Sequence, residues 1–258
     1  MSSPPSDLVS QLPEGQVVDR AWLMEKGFSR PRVDAFIRNG VLQAVARGAY
    51  RRPGPPLKWQ HLLYSLRELG YDLHVGGLSA LQQQGLSHYL ALSDKNAIQL
   101  YCTTALPSWL PKVEGDFAFT QHKLKLFEVL PESALLNQPF GHWDWPILYA
   151  TPELALLEMA AEVDDRADFS QLDKLFDSAV NLRPVLLQSL LSSCGQVKAK
   201  RLFLWFAQRY HHAWFNALNV DGVDLGSGKR MIVSGGVLDK RYQITVPKEM
   251  VKHDDEFF

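Results

Sequence analysis

A short amphipathic segment near the start of the chain predicts a first helix. Over residues 17–26, VVDRAWLMEK, the apolar side chains of Val18, Trp22 and Leu23 recur at the spacing of one helical face. Asp19 is suited to cap the N-terminus of this helix, and Gly27 is suited to end it. The pattern therefore predicts a short helix that ends at a glycine turn.

The next ten residues, 29–38, predict a second helix with the sequence SRPRVDAFIR. Ser29 can cap it, and Pro31 is tolerated in the first turn of a helix. Its apolar residues follow the i, i+3, i+4 pattern of a buried stripe at Val33, Phe36 and Ile37. Charged residues lie off that stripe, so the helix is predicted to expose Arg30, Arg32, Asp34 and Arg38.

A small β-hairpin is predicted over residues 41–50, where apolar positions alternate around Arg47 and Gly48. Two helices joined by a glycine turn and followed by a hairpin have the order of a winged helix-turn-helix. The proline-rich segment at residues 53–56, PGPP, is a stiff connector. We therefore expect a DNA-binding domain over residues 1–56 and a larger mixed α/β domain over residues 57–258.

Beyond the connector, the pattern predicts an α+β fold. A mixed sheet is expected over residues 70–150 or so, a helical region over about 151–215, and terminal strands over about 231–247. Predicted helices lie at 57–69 and 78–84, at the segment that begins with Thr151 and Pro152, and at 169–180, 184–192 and 197–210. Predicted strands lie at 73–75, 97–102, 117–120, 123–129, 145–149, 231–234 and 242–246.

Charge changes this picture because it is unevenly distributed. The 258 residues have a formal net charge of -1, which gives no reason to expect a nucleic-acid or membrane partner. Residues 27–60, however, hold seven basic residues against the single acid Asp34. Such an asymmetry between parts of a chain indicates that one module meets nucleic acid.

The basic residues of this segment fall on both the second helix and the hairpin. If that helix enters a major groove, its N-terminal residues lie nearest the base edges, and the others lie nearest phosphates. The predicted DNA contacts are therefore Ser29, Arg30, Arg32 and Arg38 on the helix, with Arg47, Arg51 and Arg52 on the wing. The alternative is a solvated basic face on a winged helix that docks a protein.

Enzymatic chemistry has no evident carrier in the sequence. The glycine-rich stretch 222–230 has five residues, not four, before its Gly-Lys pair, and Arg230 follows where a phosphate-binding loop needs Ser or Thr. The adjacent His211 and His212 lack the spacing of metal ligands. We therefore expect no catalytic residue, cofactor or metal. Without a signal peptide or a long apolar run, a cytoplasmic protein is expected.

Several stretches of the chain resemble the AbiEi-type antitoxins of type IV toxin-antitoxin systems. Residues 17–29, 39–42 and 47–50 are similar to the winged-helix start of that family. Later stretches agree with the subgroup that has a long C-terminal domain, and they lie at 151–158, 197–204, 224–230, 235–236 and 242–247. Together these stretches span nearly the whole chain.

The resemblance implies a repressor and an antitoxin. The winged helix would bind inverted repeats in the protein's own promoter, as a monomer in solution or a dimer on DNA. The C-terminal domain would neutralise a cognate nucleotidyltransferase-like toxin, with or without a stable complex. Carried over by motif, the antitoxin surface would be a basic one that meets RNA, nucleotide or the toxin, at Lys198, Lys200, Arg201, Lys229 and Arg230.

Two alternatives stay open at this point. In the first, the C-terminal basic residues only solvate helix ends and turns and recognise no partner. In the second, the whole protein is a nucleotide-binding protein or an enzyme of unknown reaction, in which the winged helix serves as a protein-docking module.

Overall fold

The computed structural model describes residues 6–86, 97–123 and 125–251. Its contacts divide the chain into two compact units. The first unit comprises residues 1–74, 93–123 and 137–148, and the second comprises residues 75–92, 124–136 and 149–258. The structure has both helices and mixed sheets, so the predicted α+β class is confirmed.

The first unit begins with the predicted winged helix-turn-helix. Its elements are α1 (Ser6–Gln11), β1 (Val18–Asp19), α2 (Arg20–Glu25), α3 (Arg30–Arg38), β2 (Gln43–Ala46) and β3 (Ala49–Arg51). Strand β3 pairs antiparallel with both β1 and β2, which gives a three-stranded sheet in the order β1-β3-β2. The second helix and the hairpin are therefore confirmed. The first predicted helix, 17–26, is confirmed only from Arg20 onward, because Val18 and Asp19 pair with β3 as strand β1.

Local sequence explains the shape of this module. The Asp19 side chain caps α2 by accepting a hydrogen bond from the Trp22 N–H at 2.8 Å. Gly27 follows with a φ of +86°, a left-handed conformation that favours glycine. Helix α3 then packs onto a small core that α1, α2 and the wing share, formed by Leu8, Leu12, Val18, Trp22, Leu23, Phe28, Val33, Phe36, Val41 and Leu42.

The proline connector does not coincide with the division between the two units. Helix α4 (Trp59–Glu68) lies beyond the connector, yet it belongs to the first unit. The buried hydroxyl of Ser65 on α4 accepts a hydrogen bond from the Val17 N–H at 2.8 Å, just before β1. That residues 1–56 fold independently stays a prediction.

A five-stranded sheet lies largely in the first unit. Its strands are β4 (Leu73–Val75), β5 (Ala97–Cys102), β6 (Ala118–His122), β7 (Leu135–Phe140) and β8 (Trp145–Ala150), in the order β6-β5-β4-β8-β7. Strands β5 and β6 run parallel, in a register from Ala97 opposite Ala118 to Tyr101 opposite His122. The sheet is mixed, as predicted.

The second unit is mostly helical. Its helices are α5 (Gly77–Gln83), α6 (Pro152–Glu162), α7 (Arg166–Ser178), α8 (Pro184–Ser193) and α9 (Val197–Tyr210), and its antiparallel strands are β9 (Val237–Asp239) and β10 (Ile244–Val246). Helix α6 is buried on most of its faces, and its two buried carboxylates are paired. Glu153 accepts hydrogen bonds from Arg183, and Glu158 accepts one from the Gly77 N–H at 2.9 Å.

Two predicted strands are wrong. Within 123–129, the described residues form no strand, although Leu126 and Phe127 bury their side chains in the core of the second unit. Residues 231–234 are also irregular, and the N–H groups of Ile232 and Val233 donate to the hydroxyl of Thr245. In both segments the apolar pattern reflects burial of side chains from irregular backbone. Helix α1 and strands β1, β7 and β9 were not predicted.

Candidate nucleic-acid interface

Helix α3 presents one side to its own domain and the other to solvent. At 100° per residue, Arg30, Asp34 and Arg38 lie along one side, roughly opposite the buried Val33 and Phe36. Arg30 and Arg38 are exposed, and neither forms a hydrogen bond or ion pair through its side chain with a described residue. Arg38 lies eight positions after Arg30, which corresponds to about 12 Å along the helix axis.

The acid on this exposed side is neutralised from within the module. Asp34 forms an ion pair with Arg20 of α2, with 2.8 Å between Oδ1 and Nη2. A hydrogen bond with Tyr50 and, to a smaller extent, one with Asp34 raise the pKa of Arg20, so this cation stays charged beside the helix. The exposed side of α3 therefore keeps a positive charge from Arg30 and Arg38.

Arg32 lies on the flank of the helix and not beside Arg30 and Arg38. Its guanidinium contacts Asp7 of α1 at 2.5 Å and lies over the rings of Phe28 and Phe36, 5.3 and 5.4 Å from their centroids. These contacts hold α3 against α1 and the preceding turn. The structure thus gives Arg32, a predicted DNA contact, partners inside the protein.

The three arginines of the wing occupy different environments. Arg47 is exposed at the tip of the hairpin, next to Gly48 with its φ of +88°. Arg52 is half-buried and donates to the Leu12 carbonyl at 3.2 Å. Arg51 is 7% exposed and donates to the carbonyls of Pro55 at 2.6 Å and Gly54 at 3.1 Å. The prediction of Arg51 as a DNA contact is therefore wrong, because its guanidinium is enclosed by the connector.

Ser29 stands at the N-cap position of α3 and is exposed. Its side chain makes no capping hydrogen bond to the helix. The hydroxyl and the first N–H groups of α3 therefore lie together at the end of the helix where Arg30 also stands. A phosphate oxygen is a suitable acceptor for such groups.

In the second unit, a buried arginine fixes the shape of the C-terminal basic loop, which we define as residues 224–230. Arg201 of α9 is 2% exposed and donates to the carbonyl oxygens of Leu225 at 2.8 Å, Gly226 at 3.2 Å, Gly228 at 2.6 Å and Gln243 at 3.2 Å. Burial lowers the pKa of Arg201, and the charge of nearby Arg230 acts in the same direction. Arg201 therefore supports the loop from beneath.

Two members of the predicted antitoxin surface are not on the surface. Lys200 is 4% exposed and Arg201 is 2% exposed, because residues 199–207 of α9 are buried in the core of the second unit. The prediction that they form a basic surface is wrong because the six residues that follow them, 202–207, are apolar on every side of the helix and the core encloses this part of α9.

The other predicted members of that surface are accessible. Lys229 and Arg230 are exposed, and the backbone of Arg230 pairs with the backbone of Gln243 and Thr245. Lys198 is 27% exposed and forms an ion pair with Asp164 at 2.8 Å. Lys198 and Arg230 also line one cavity of about 630 Å³ in the second unit. The structure therefore brings these two cations together and places Lys229 beside them in sequence.

The two adjacent histidines and the two cysteines are held by contacts that belong to the fold. One ring nitrogen of His212 lies 2.6 Å from the Phe176 carbonyl oxygen, while His211 ends α9 in a left-handed conformation. Cys102 and Cys194 are buried free thiols, and burial raises the pKa of both. In the part of the chain that the structure describes, no three His, Cys, Asp or Glu side chains are grouped to hold a metal ion.

None of the helices in the described ranges is both long enough and apolar enough to cross a membrane.

Comparison with known proteins agrees with the class that the N-terminal module defines. Helices α2 and α3 with the β2–β3 hairpin are those of a winged helix-turn-helix regulator. Residues 1–92 match the family model described as "Transcriptional regulator, AbiEi antitoxin N-terminal domain", and residues 95–247 match "Transcriptional regulator, AbiEi antitoxin, Type IV TA system". The chain therefore belongs to the AbiEi antitoxin family of type IV toxin-antitoxin systems, as its sequence motifs predicted.

One solved structure supports the fold over nearly the whole chain. The crystal structure of the RV2827C protein from Mycobacterium tuberculosis is 18% identical and superposes with a TM-score of 0.54, covering 95% of this chain and 92% of that one. Among curated proteins, no significant match is found.

Proposed function

We propose that this antitoxin-family regulator represses its own operon by binding inverted repeats in its promoter. The observation that carries the proposal is the set of exposed arginines on the winged helix. Arg30 and Arg38 on α3 and Arg47 on the wing form no ion pair with any described residue. Exposed cations on the recognition helix and the wing are suited to the phosphates and base edges of a duplex.

The position of each arginine gives it a distinct task. Arg30, in the first turn of α3, is placed to reach base edges when the N-terminal end of that helix enters the major groove. Arg38 is at the opposite end of the helix and is placed to contact phosphate. Arg47 at the hairpin tip would contact the backbone or minor groove beside it. Ser29 adds a hydroxyl at the end nearest Arg30.

Three charged residues of the winged helix have partners inside the module, so we do not assign them direct contacts with the phosphates of DNA. Asp34 would repel phosphate, but its ion pair with Arg20 compensates its charge. Arg32 keeps α3 in place through Asp7 and two aromatic rings, so we assign it a positioning task. Arg52 supports the wing through the Leu12 carbonyl.

Two copies would bind two half-sites. The symmetry of an inverted repeat matches a pair of winged helices related by a two-fold axis, with half-sites one or more helical turns apart. We propose that the protein is a monomer in solution and pairs on the operator, inside the cytoplasm where that DNA is found.

We also propose that the second unit neutralises a cognate nucleotidyltransferase-like toxin without acting as an enzyme. Lys198, Lys229 and Arg230 are its accessible cations at the C-terminal basic loop and the adjoining cavity. Two observations support this proposal. These cations are accessible, and Arg201 holds the backbone of the loop that carries Lys229 and Arg230. Neutralisation need not require a stable complex.

Fluorescence anisotropy tests the repressor function. The full chain is titrated against a labelled duplex of its own upstream region and against a scrambled duplex, across a range of salt concentrations. We expect the upstream duplex to bind more tightly, with affinity falling steeply as salt increases. Equal weak binding to both duplexes would make the winged helix a protein-docking module.

Co-expression tests the antitoxin function separately. We expect the full chain to restore growth to cells that produce the toxin encoded beside it, and a Lys229→Ala/Arg230→Ala variant to restore it less. If the full chain gave no protection, the proposed neutralisation would be wrong, whatever the outcome of the DNA titration.

A further inference from the structure

The exposed side of α3 carries an acid between two arginines. Arg30, Asp34 and Arg38 follow one another at intervals of four residues, so each lies about 6 Å further along the helix axis. Asp34 is the middle member of this row, roughly opposite the buried Val33 and Phe36. When this side of the helix enters a major groove, the middle of the row faces the base edges on the floor of the groove.

The ion pair of Asp34 uses only one of its two carboxylate oxygens. Nη2 of Arg20 lies 2.8 Å from Oδ1 of Asp34. The Asp34 side chain is 52% exposed, and its Oδ2 has no hydrogen-bond or ion-pair partner among the described residues. An ionised carboxylate offers acceptors and no donor. The middle of the exposed side of α3 therefore presents one free hydrogen-bond acceptor to solvent.

Arg20 restrains the position of that free acceptor. It belongs to α2 and hydrogen-bonds Tyr50 of β3 as well as Asp34, so one guanidinium links α3 to the wing. With Oδ1 held, Asp34 loses less side-chain entropy when Oδ2 meets a partner. The pair as a whole is neutral, so the carboxylate can approach a duplex with less repulsion than an unpaired acid.

The chemistry of the major groove determines which base suits such an acceptor. Guanine presents only acceptors there, and thymine presents an acceptor and a methyl group. Adenine and cytosine each present an amine that donates a hydrogen bond. On adenine the N7 acceptor adjoins that amine and repels a carboxylate, whereas cytosine presents the N4 amine alone. A carboxylate at the floor of the groove therefore favours cytosine.

We propose that Asp34 determines operator specificity by accepting a hydrogen bond from the N4 amine of a cytosine, with Arg20 as its positioning residue. This inference rests on the proposed repressor function and extends it from affinity to sequence. Arg30 lies one turn nearer the N-terminus of α3, and an arginine at a base edge pairs best with guanine. The rise of about 6 Å between the two residues corresponds to about two base pairs of about 3.4 Å each.

Competition anisotropy with the full chain tests the proposal. The labelled upstream duplex is displaced by unlabelled duplexes that each carry one base-pair change, made symmetrically in both half-sites. These titrations give the affinity for each base at each position. We expect the wild type to prefer cytosine at one position of the half-site and to bind the other three bases there at least about fivefold more weakly.

Variants assign that preference to Asp34. Asp34→Ala should lose it and gain no other, whereas Asp34→Asn should prefer adenine at the same position, because an amide pairs with the N6 and N7 of adenine. Arg38→Ala is the matched control and should weaken all duplexes by one factor, because a phosphate contact carries no sequence information. Arg20→Ala should reduce the cytosine preference, and Arg20→Lys should recover part of it. Circular dichroism confirms that each variant is folded.

Two outcomes would overturn the role of Asp34 alone. The first is that Asp34→Ala keeps the wild-type preference at every position. The second is that Asp34→Ala and Asp34→Asn change the affinity for all duplexes by one factor, as Arg38→Ala does, which would reduce Asp34 to a general electrostatic effect. A wild type that binds a scrambled duplex as tightly as its own upstream duplex would instead overturn the repressor proposal itself, so the two failures are distinguishable.

Discussion

Helices α3 and α9 are both rich in basic residues, yet they use them in opposite ways. Helix α3 has a narrow apolar stripe, so Arg30 and Arg38 stay in solvent without ion pairs to described residues. Helix α9 is buried around most of its circumference, so Arg201 donates to carbonyl oxygens of the C-terminal basic loop. The comparison teaches that the width of the apolar stripe, and not the number of cations, decides whether a basic helix forms a surface.

The largest effect is expected at the buried arginine. Arg201→Ala would leave the carbonyl oxygens of Leu225, Gly226 and Gly228 without their donor and would leave a cavity in the core. We expect a loss of about 3 kcal/mol or more in the free energy of unfolding, measured by urea denaturation. Arg230→Ala is the matched control, and we expect it to unfold as the wild type does. A loss below about 1 kcal/mol for Arg201→Ala would mean that the loop does not depend on it.

Substitutions of the exposed arginines of α3 should lower operator affinity and leave stability unchanged. Arg30→Ala and Arg38→Ala are expected to weaken operator binding by about 1–3 kcal/mol each, because each removes a contact to a base or a phosphate. Their stability should be unchanged. Anisotropy at a fixed salt concentration measures the first effect, and urea denaturation measures the second. Unaltered operator affinity in both variants would remove α3 from the interface.

Lys229 and Arg230, the accessible cations of the C-terminal basic loop, should affect function and not stability, in contrast to the buried Arg201. Lys229→Ala/Arg230→Ala should reduce protection against the toxin in co-expression, by at least about tenfold in surviving cells, because each residue loses one charge-assisted contact. Operator affinity and stability should be those of the wild type. Full protection by this variant would assign both residues to solvation of the turn.

The smallest effect is expected at Arg32. Its ion pair with Asp7 is partly exposed, and its guanidinium makes a modest cation–π interaction with the ring of Phe28. Arg32→Ala should therefore lower the free energy of unfolding by about 1 kcal/mol. Arg32→Lys should recover part of that loss. Operator binding should weaken far less than in Arg30→Ala. A large loss of affinity with intact stability would instead make Arg32 a direct DNA contact.

Much of the fold could be predicted from the sequence where local signals agree. Helix α3 was predicted because a proline in its first turn, an apolar stripe and a glycine turn all indicate the same element. Strand β5 was predicted with its observed bounds, Ala97–Cys102. The prediction at 123–129 failed because Leu126 and Phe127 are buried from irregular backbone, which has the same apolar pattern as a strand.

The candidate site was predictable only in part. Exposure of Arg30 and Arg38 follows from the helical period, whereas the enclosure of Arg51 depends on carbonyl oxygens of the connector that no periodicity reveals. Arg201 did carry a signal, because it precedes the run LFLWFA and a helix apolar on all sides is a buried helix. The buried atoms Arg51 Nε and Gln60 Oε1, which have no hydrogen-bond partner among the described residues, are likewise visible only in three dimensions.

The salt dependence of operator binding tests most directly whether the exposed arginines of α3 form the DNA interface. The logarithm of the binding constant is measured against the logarithm of salt concentration for the wild type, for Arg30→Ala/Arg38→Ala and for Arg32→Ala. Because Arg38 is placed to contact phosphate and Arg30 to reach base edges, the double variant should lose affinity and reduce the slope by about one, and Arg32→Ala should leave the slope unchanged. A wild-type slope in the double variant, together with wild-type affinity, would contradict the assignment of α3 as the helix that meets DNA.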